Sequence, residues 1–485
     1  MFHAFLNKTR LLFFSNLGVK QTIFKNTFWL ALTMALNSIV SVFISIWIAR
    51  YFGPAEYGKW GFVLSFVAFF SVFIEFGFET FIIREVAKEK GKTSFYVDNI
   101  IAIKALLSLF VMALMFVSIL LISKDDTTIR LVFILGPYVA LNSFTTFFFA
   151  IFRANEMMEY ETLCYAINGV TLAVIISISL SLGNYIDYIG YAYLANSIIA
   201  FAVAILFLRK YFSKFYLKIK IDFCKQILKD SWPYALSSII VSFYGVDMVI
   251  LGLLKNTEQV GWYSAAYKVP LFVQMIGLAI PRSFFPKLSQ KYKEGAESIK
   301  KITKSMAKVM HFLAWPLGFG GAIIAEKIMI FLFGVQYLPG VLAFQMLIWS
   351  MAINFLFTIY QEPIKASDNP KPYLYGVWGG AILSILFDFL LIPRFGLNGA
   401  AFVSLVGQIG LLFYMKWQFS KIVNINLFRN AVIPFIASVM MGLVIYFYLF
   451  QFHVLIIIGI SILLYSSLYY LLFSLQKKFR IMYLY

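Results

Sequence analysis

Long apolar stretches recur from one end of the 485-residue chain to the other, separated by short clusters of polar, charged and turn-forming residues. Most of these stretches are about 20 residues long, the length that an α-helix needs to cross a hydrocarbon core of roughly 30 Å. A transmembrane β-barrel would instead need alternating segments of about ten residues, and the sequence lacks them. The pattern therefore predicts an all-α polytopic membrane protein.

Turn and charge clusters divide the apolar stretches into about fourteen predicted transmembrane helices. Their ranges are 27–49, 60–82, 99–123, 131–152, 163–183, 189–208, 233–254, 262–284, 307–333, 338–361, 373–393, 396–416, 430–450 and 453–474. Composition agrees with this interpretation, because 61% of the residues are apolar and only 13% are charged. A soluble surface would need about twice that share of charged residues.

Lysine and arginine are distributed unevenly among the predicted connections. About 32 of the 41 lie in the two tails and the even-numbered connections, against about eight on the opposite side. The positive-inside rule therefore predicts a cell (cytoplasmic) membrane protein with both termini in the cytoplasm. Two basic connections, 209–231 and 287–308, are typical of amphipathic segments on anionic phospholipids, although the second also suits a solvated linker helix. This bias explains the net charge of +19, so nucleic-acid binding is not expected.

Candidate chemistry for an enzyme or a metal site is scarce. The histidines His3, His311 and His453 lie far apart, and Cys164 and Cys224 have no CxxC spacing, so neither a metal site nor a disulfide is predicted. No Walker A motif, DxD pair or nucleophile elbow occurs, and the largest connection has only about 23 residues. We therefore expect no cofactor and a transporter rather than an enzyme. The first helix is interpreted as retained, because no cleavage site follows a short apolar region.

Two short motifs repeat at nearly the same spacing. The pairs are "FGPAEYGKWGF" (52–62) with "KNTEQVGWYSA" (255–265), and "GYAYLA" (190–195) with "GAAFVS" (399–404). Gly58 falls on Gly261 at an offset of 203, and the second pair has an offset of 209. Such offsets predict a six-helix unit used twice, with the two halves related by an axis along the membrane normal. The predicted domains are an N-lobe, a C-lobe and an added helix pair, at 1–215, 216–420 and 421–485.

Four longer motifs carry a resemblance to a known family. They are "ARYFGPAEYGKWGF" (49–62), "FGFETFIIREVAK" (76–88), "VGWYSAAYKVPLFVQMIGLAIPRSFFPKLS" (260–289) and "LLIPRFGLNGAAFVS" (390–404). This set resembles the polysaccharide transporter family, which includes the O-antigen (Wzx-type) flippases. That family belongs to the multidrug, oligosaccharidyl-lipid and polysaccharide (MOP) exporter superfamily. The resemblance implies a MATE-like fold of two six-helix lobes, here with helices 13 and 14 added.

The same resemblance implies a function. Family members move undecaprenyl-diphosphate-linked oligosaccharides for O-antigen, capsule or exopolysaccharide to the outer leaflet, and alternating access is the expected mechanism. A polysaccharide polymerase and a chain-length regulator are the implied protein partners, and H⁺ or Na⁺ is a candidate coupling ion. A lipid II-type flippase and a multidrug/cation antiporter of the same superfamily are the alternatives, although "RYFGPAEYG" points away from the antiporters.

Charged residues inside predicted helices are costly in a bilayer, so each is a functional candidate. Lys268 lies about 10 Å from the outer end of the eighth helix, and Asp247 lies at a similar depth in the seventh. Pro270 removes a backbone donor close to Lys268, and such a disturbance is tolerated beside protein or a wet cavity. We expect Lys268 to bind the diphosphate or a sugar, with Asp247 holding it when substrate is absent. A salt bridge that only orders the lobe is the alternative.

Glu75 and Lys104 form a second candidate pair near the inner ends of the second and third helices. It suits a structural ion pair, and an ion-coupling role is the alternative. Asp388 precedes the outer end of the eleventh helix, near Arg394. It is a third candidate for ion coupling or for a charge in the lumen, and the alternative is that it only reaches the exterior water.

Three arginines lie at predicted helix ends. Arg50 ends the first helix on the outer side, where snorkelling is the usual explanation. The family resemblance adds a place in the lumen as the alternative for this residue. Arg84 and Arg282 lie at the inner ends of the second and eighth helices, where they suit positive-inside anchors. Because these ends would flank an inward-facing mouth, both arginines are also candidate contacts for the diphosphate.

Overall fold

The computed structural model contains only helices among the residues that it describes. Those residues are 18–88, 91, 93–183, 185–211, 219–242, 245–292, 294–367 and 369–482. The α-helices are α1 (Val19–Glu75), α2 (Phe78–Lys88), α3 (Thr93–Ile122), α4 (Asp126–Ala154), α5 (Met158–Leu182), α6 (Asp187–Tyr211), α7 (Ile221–Ser242), α8 (Val246–Leu254), α9 (Thr257–Tyr292), α10 (Ala296–Ile323), α11 (Ala325–Phe333), α12 (Val341–Lys365), α13 (Lys371–Phe395), α14 (Leu397–Ser420), α15 (Phe428–Val444) and α16 (Val454–Met482). A 3₁₀ segment (Val335–Gly340) precedes α12, and a π segment (Ile445–Leu449) follows α15.

The expected all-helical membrane architecture is confirmed. Within the described ranges, ten helical stretches are long and apolar enough to cross a membrane, or eleven if α10 and α11, bent by 71°, form one span. The count of fourteen is not confirmed. One stretch, Phe24–Val86, covers the first two predicted helices. The helices α7, α8 and α9, which cover the seventh and eighth predictions, are not among the ten.

The predicted turn between the first two helices is reduced to a kink at one residue. Gly53 has a φ of 76° and a ψ of 177°, inside a helix that otherwise continues from Val19 to Glu75. This conformation is open to glycine because it has no Cβ. Pro54 follows, and its fixed φ suits the first position of a helix, so the chain resumes its helical path immediately.

Packing divides the chain into two compact units, each with its own core. Unit 1 comprises the described parts of Met1–Ile44 and Lys59–Val249. Unit 2 comprises Ser45–Gly58 and the described parts of Ile250–Tyr485. Clustered phenylalanines of α2 and α4 dominate the core of unit 1, whereas three smaller clusters lie in unit 2. The predicted lobes at 1–215 and 216–420 stay a prediction.

The segments around Gly58 and Gly261 are in backbone-to-backbone contact within unit 2. A Cβ atom on Gly58 would lie 1.7 Å from the carbonyl oxygen of Thr257, and one on Gly261 would lie 1.9 Å from that of Pro54. No side chain fits at such distances, so both positions require glycine. The contact is reciprocal, because Pro54 and Thr257 are separated by the same 203 residues as the two glycines. Reciprocal contacts of this kind are typical of a two-fold axis.

Candidate functional site

Lys104 occupies a closed cage in unit 1. Its side chain is 0% exposed, and its ammonium donates to the Ser143 hydroxyl at 2.6 Å and to the Ile74 carbonyl at 3.4 Å. Three aromatic rings lie 5.8–5.9 Å from the ammonium: Phe78, Phe144 and Phe147. Hydrogen bonds and cation–π contacts together replace the water that a charged lysine loses inside a span.

The predicted partner of this lysine, Glu75, lies at the end of α1. Its neighbour Ile74 supplies the carbonyl that Lys104 contacts, and the Glu75 and Lys104 charges interact electrostatically. Directly after Glu75 the chain turns through Phe76 and Gly77, which have positive φ values. The turn ends α1 beside α3, and it thereby brings the carboxylate near the cage.

A second charged group in unit 1 is centred on Arg153, at the end of α4. The guanidinium binds Glu161 through two hydrogen bonds of 2.9 and 2.5 Å and reaches Glu79 at 3.4 Å. Glu161 is 1% exposed, so its charge depends on this bidentate partner. The sequence interpretation missed the group, because Arg153 contributed to it only as one of the positive charges in the even-numbered connections. Arg153 lies in the last turn of α4 and Glu161 in the first turn of α5, on either side of one short turn. This spacing of opposite charges could have indicated the ion pair.

Lys25 extends the buried charges to the start of the chain. Its ammonium lies 3.0 Å from the Glu159 carboxylate and also donates to the Glu156 carbonyl at 3.1 Å. Only 1% of the lysine is exposed. The sequence analysis counts this lysine only among the basic residues of the tails, whereas its side chain packs inside unit 1.

Arg84 is exposed on α2 at the mouth of a polar pocket of unit 1. It donates to the Tyr234 hydroxyl at 2.6 Å, and its Nε lies 4.0 Å from the Glu85 carboxylate. The same pocket is lined by residues of α7. Arg84 therefore keeps the accessibility that a ligand contact requires, with one hydrogen-bond donor already engaged.

Lys268 is half-buried on α9 in unit 2. The helix continues through Pro270, so the proline does not end it. Less than two turns further along α9, Gln274 begins a series of amide side chains. Its amide donates to Asn354 at 3.5 Å, and the amide of Asn354 donates to Gln408 at 3.3 Å. Sequence reasoning missed this series, because the amides come from three helices that are distant in the chain.

Asp247 lies in unit 1, on the second residue of α8. The predicted seventh helix is divided here, since α7 ends at Ser242 and α8 begins at Val246. The carboxylate is buried and accepts a hydrogen bond from the Met248 amide at 2.7 Å. Its pairing with Lys268 stays a prediction.

Arg50 binds a helix end of unit 2. Its Nε donates to the Leu332 carbonyl at 2.8 Å, and its terminal nitrogen donates to the Phe331 carbonyl. These carbonyls belong to the last turn of α11, where a cation is favourable. The Tyr337 hydroxyl donates to the Ala49 carbonyl at 2.8 Å, beside Arg50. Arg50 therefore joins α1 to the end of α11.

Two further predicted residues have different outcomes. Asp388 lies on α13 and is only 3% exposed, so the alternative that it only reaches the exterior water is wrong, and its candidate role in ion coupling stays a prediction. Neighbouring helix surface covers it, which the apolar pattern of one helix cannot indicate. Arg282 lies within α9, but its side chain is outside the described residues. Among the described residues, no group of three His, Cys, Asp or Glu side chains could hold a metal ion.

Known proteins resemble this chain along most of its length. The model of a family described as "Polysaccharide biosynthesis protein" matches residues 23–291, more than half of the chain. A capsular polysaccharide biosynthesis protein, CapF of Staphylococcus aureus, is 24% identical over 82% of this chain and 99% of its own length. A putative O-antigen transporter of Escherichia coli is 22% identical over 80% of this chain and 94% of its own.

A solved structure has the same fold. The lipid II flippase MurJ, in an inward closed conformation, superimposes with a TM-score of 0.77 and 18% sequence identity. The match covers 92% of this chain and 99% of MurJ. At this level of identity the similarity concerns the fold alone.

Proposed function

Because this chain belongs to the polysaccharide biosynthesis protein family, we propose that it is a flippase for undecaprenyl-diphosphate-linked oligosaccharides. The family resemblance inferred from the sequence motifs is confirmed by that match. Relatives named for capsular polysaccharide biosynthesis and O-antigen transport support a lipid-linked glycan as the substrate. The substrate would carry two chemically different parts through the protein, an anionic diphosphate and a neutral or acidic glycan.

The main support in the structure is the polar surface of unit 2. Lys268 offers a cation on α9, and the amide series, from α9, α12 and α14, offers donors and acceptors. A cation suits the diphosphate, whereas amides suit sugar hydroxyls, because each amide both donates and accepts. An antiporter for cationic drugs would be better served by acidic side chains alone at this position.

The proposed mechanism is alternating access between two six-helix lobes. In the inward-open state the diphosphate and the glycan would enter from the cytoplasm, while the polyprenyl tail stays in the bilayer along the last two predicted spans, 430–450 and 453–474. Glu75 and Lys104 suit a structural ion pair of unit 1. Ion coupling by these two residues, or by Asp388, is the alternative. H⁺ or Na⁺ would supply the gradient, and a polymerase and a chain-length regulator would use the exported repeat units.

The proposed topology has fourteen spans with both termini in the cytoplasm. The kink at Gly53 would separate the first two spans, and α7 with α8, followed by α9, would supply the seventh and eighth. Reporter fusions after Lys210 and Lys293 should then report the cytoplasm. Fusions after Asn256 and Arg394 should report the exterior. A single reversed fusion among the four would contradict the count.

The experiment that tests the function measures where lipid-linked repeat units accumulate. Depleting the protein should leave their synthesis unchanged but confine them to the cytoplasmic leaflet, where an impermeant lectin reaches them only in inverted vesicles. Wild-type protein should restore lectin access in right-side-out spheroplasts. If the repeat units fail to form after depletion, the protein acts earlier in the pathway and the proposal is wrong.

A further inference from the structure

A polar pocket lies between α2, the start of α3 and the first half of α7, entirely within unit 1. Its volume is about 440 Å³, within the range of roughly 300–1,000 Å³ that is typical of small-molecule sites. The first half of α7 has four charged residues within ten positions: Asp222, Lys225, Lys229 and Asp230. Such a segment does not cross a hydrocarbon core, so the pocket opens at the membrane–water boundary. That boundary is on the side predicted to be cytoplasmic.

The floor of the pocket is aromatic. The rings of Phe81 and Tyr96 lie 6.0 Å apart, and those of Tyr96 and Phe223 lie 5.4 Å apart. The same residues pack against the buried core of unit 1, which holds the rings in place. These aromatic side chains give the pocket apolar contacts for part of a ligand.

The rim carries two cations and two carboxylates. Arg84 and Lys229 are the cations, and Glu85 and Asp230 are the acids, so the formal charge of the rim is zero. A diphosphate would meet two repelling carboxylates beside the two attracting cations. A polyhydroxylated ligand would instead donate to the carboxylates and accept from the cations, so that each hydroxyl finds a partner.

We propose that this pocket binds sugar rings of the lipid-linked glycan at the cytoplasmic face, separately from the diphosphate. Pyranose rings have an apolar C–H face for the aromatic floor and equatorial hydroxyls for the charged rim. The proposal rests on the proposed function, because it assumes that the transported substrate carries a glycan. It assigns Arg84 to sugar recognition rather than to the diphosphate contact expected from its position at a helix end.

One hydrogen bond crosses the pocket. The Arg84 guanidinium donates to the Tyr234 hydroxyl at 2.6 Å, across from α2 to α7. A sugar hydroxyl that accepts from Arg84 would compete for, or extend, this hydrogen bond. Ligand binding would therefore change the connection between the two helices that form the pocket.

The test is a binding measurement on the purified full-length protein in detergent. Saturation-transfer NMR with methyl glycosides of glucose, galactose and N-acetylglucosamine should detect at least one binder. The matched variants are Asp230→Asn, in the rim, and Asp222→Asn, an exposed acid on the same helix that does not line the pocket. Loss of one charged hydrogen bond corresponds to about 1.5–3 kcal/mol. Asp230→Asn should therefore weaken binding roughly tenfold or more, and Asp222→Asn should leave it unchanged.

Competing ligands are separate arms of the same experiment. Inorganic pyrophosphate and glycerophosphoethanolamine should not displace the bound glycoside. Displacement by pyrophosphate would assign the pocket to the diphosphate, and displacement by glycerophosphoethanolamine would assign it to a phospholipid headgroup; either result would overturn the proposal. Equal binding by both aspartate variants, or no glycoside binding at all, would also overturn it.

Export measurements distinguish a failure of the proposed sugar site from a failure of the proposed function. If glycosides bind as expected but depletion does not trap repeat units on the cytoplasmic leaflet, the flippase function is wrong and the sugar site stands. If wild-type protein restores export while Asp230→Asn neither weakens binding nor slows export, the function stands and the sugar site is wrong.

Discussion

The two units bury different kinds of polar side chain. Unit 1 buries charges of both signs, at Lys25, Asp98, Lys104, Glu161 and Asp247. In unit 2, among the described residues, the buried side chains include acids such as Glu362 but no fully buried lysine or arginine. Its polar interior is organised instead by the amide series around Asn354.

This difference affects stability, because losing a partner costs more for a buried charge than for a buried amide. A buried ion pair contributes little net stability, but losing one partner leaves an uncompensated charge and costs about 3–5 kcal/mol. A neutral amide that loses a partner costs about 1–3 kcal/mol. Unit 1 is therefore sensitive to changes of charge, including protonation, whereas unit 2 tolerates rearranged hydrogen bonds.

The largest effect is expected at Arg153. Replacing it (Arg153→Leu) should destabilise the protein by about 3–5 kcal/mol, because Glu161 is left buried without its bidentate partner. Thermal unfolding in detergent, together with the amount of inserted protein, measures the loss. Arg130→Leu is the matched control, since Arg130 forms an exposed pair with Asp187 and should cost no more than about 1 kcal/mol. Equal losses would remove the contrast between buried and exposed charges. Adding Glu161→Leu should recover much of the stability.

At Lys268 the expected loss is in transport. Lys268→Ala should abolish or severely reduce glycan export at normal protein levels if, as proposed, this cation binds the diphosphate of the substrate. Lys268→Arg should retain part of the activity, since charge matters more than shape for a mobile diphosphate. Lectin access to exported repeat units measures both.

The alternative for Lys268 has a distinct outcome. If the residue only balances Asp247, Lys268→Ala should lower protein levels, and Asp247→Asn in the same chain should restore them. Full export by Lys268→Ala at normal levels would exclude both roles.

A smaller effect is expected at the amide series. Asn354→Ala removes an acceptor for Gln274 and a donor for Gln408, so a loss of about 1–3 kcal/mol is expected in thermal unfolding. Asn354→Asp would place a charge in this neutral interior and should be worse than alanine. A loss as large as that of Arg153→Leu would show that unit 2 is as intolerant as unit 1.

The smallest effect is expected at a connection outside the spans. Asp125 caps α4 by accepting from the Thr128 amide at 2.8 Å, so Asp125→Ala should cost about 1 kcal/mol. Partial burial raises the pKa of Asp125, but hydrogen bonds from Thr128 and the nearby Lys59 outweigh it and hold the pKa below its ordinary value. The capping contribution is therefore present at neutral pH and is lost as the pH falls through this lowered pKa. Melting temperatures of wild type and Asp125→Ala should converge in acid, whereas Lys124→Ala should follow wild type throughout.

Local sequence patterns predicted most of the architecture, because a span's length and polarity are properties of the span itself. The same patterns could not reveal partners from distant parts of the chain. From sequence alone, Lys25 is typical of a basic tail and Arg50 of a snorkelling residue. Their partners, Glu159 and the end of α11, become known only from the structure. The turn at Gly53 was predicted as a polar loop, because hydropathy does not measure how tightly one glycine can bend a helix. The diphosphate and sugar contacts stay predictions.

The reciprocal contact of Gly58 and Gly261 has a consequence for the history of this chain. In a duplicated protein, both glycines descend from one ancestral position, and the two copies of the half would have met there as a symmetric dimer. A single substitution in that ancestor would have placed two side chains in the contact at once, one from each copy. After such a fusion the two positions would be separate genetic targets, yet a Cβ at either one would still clash with a carbonyl oxygen of the opposite segment. Each of the two positions would therefore be restricted to glycine independently of the other.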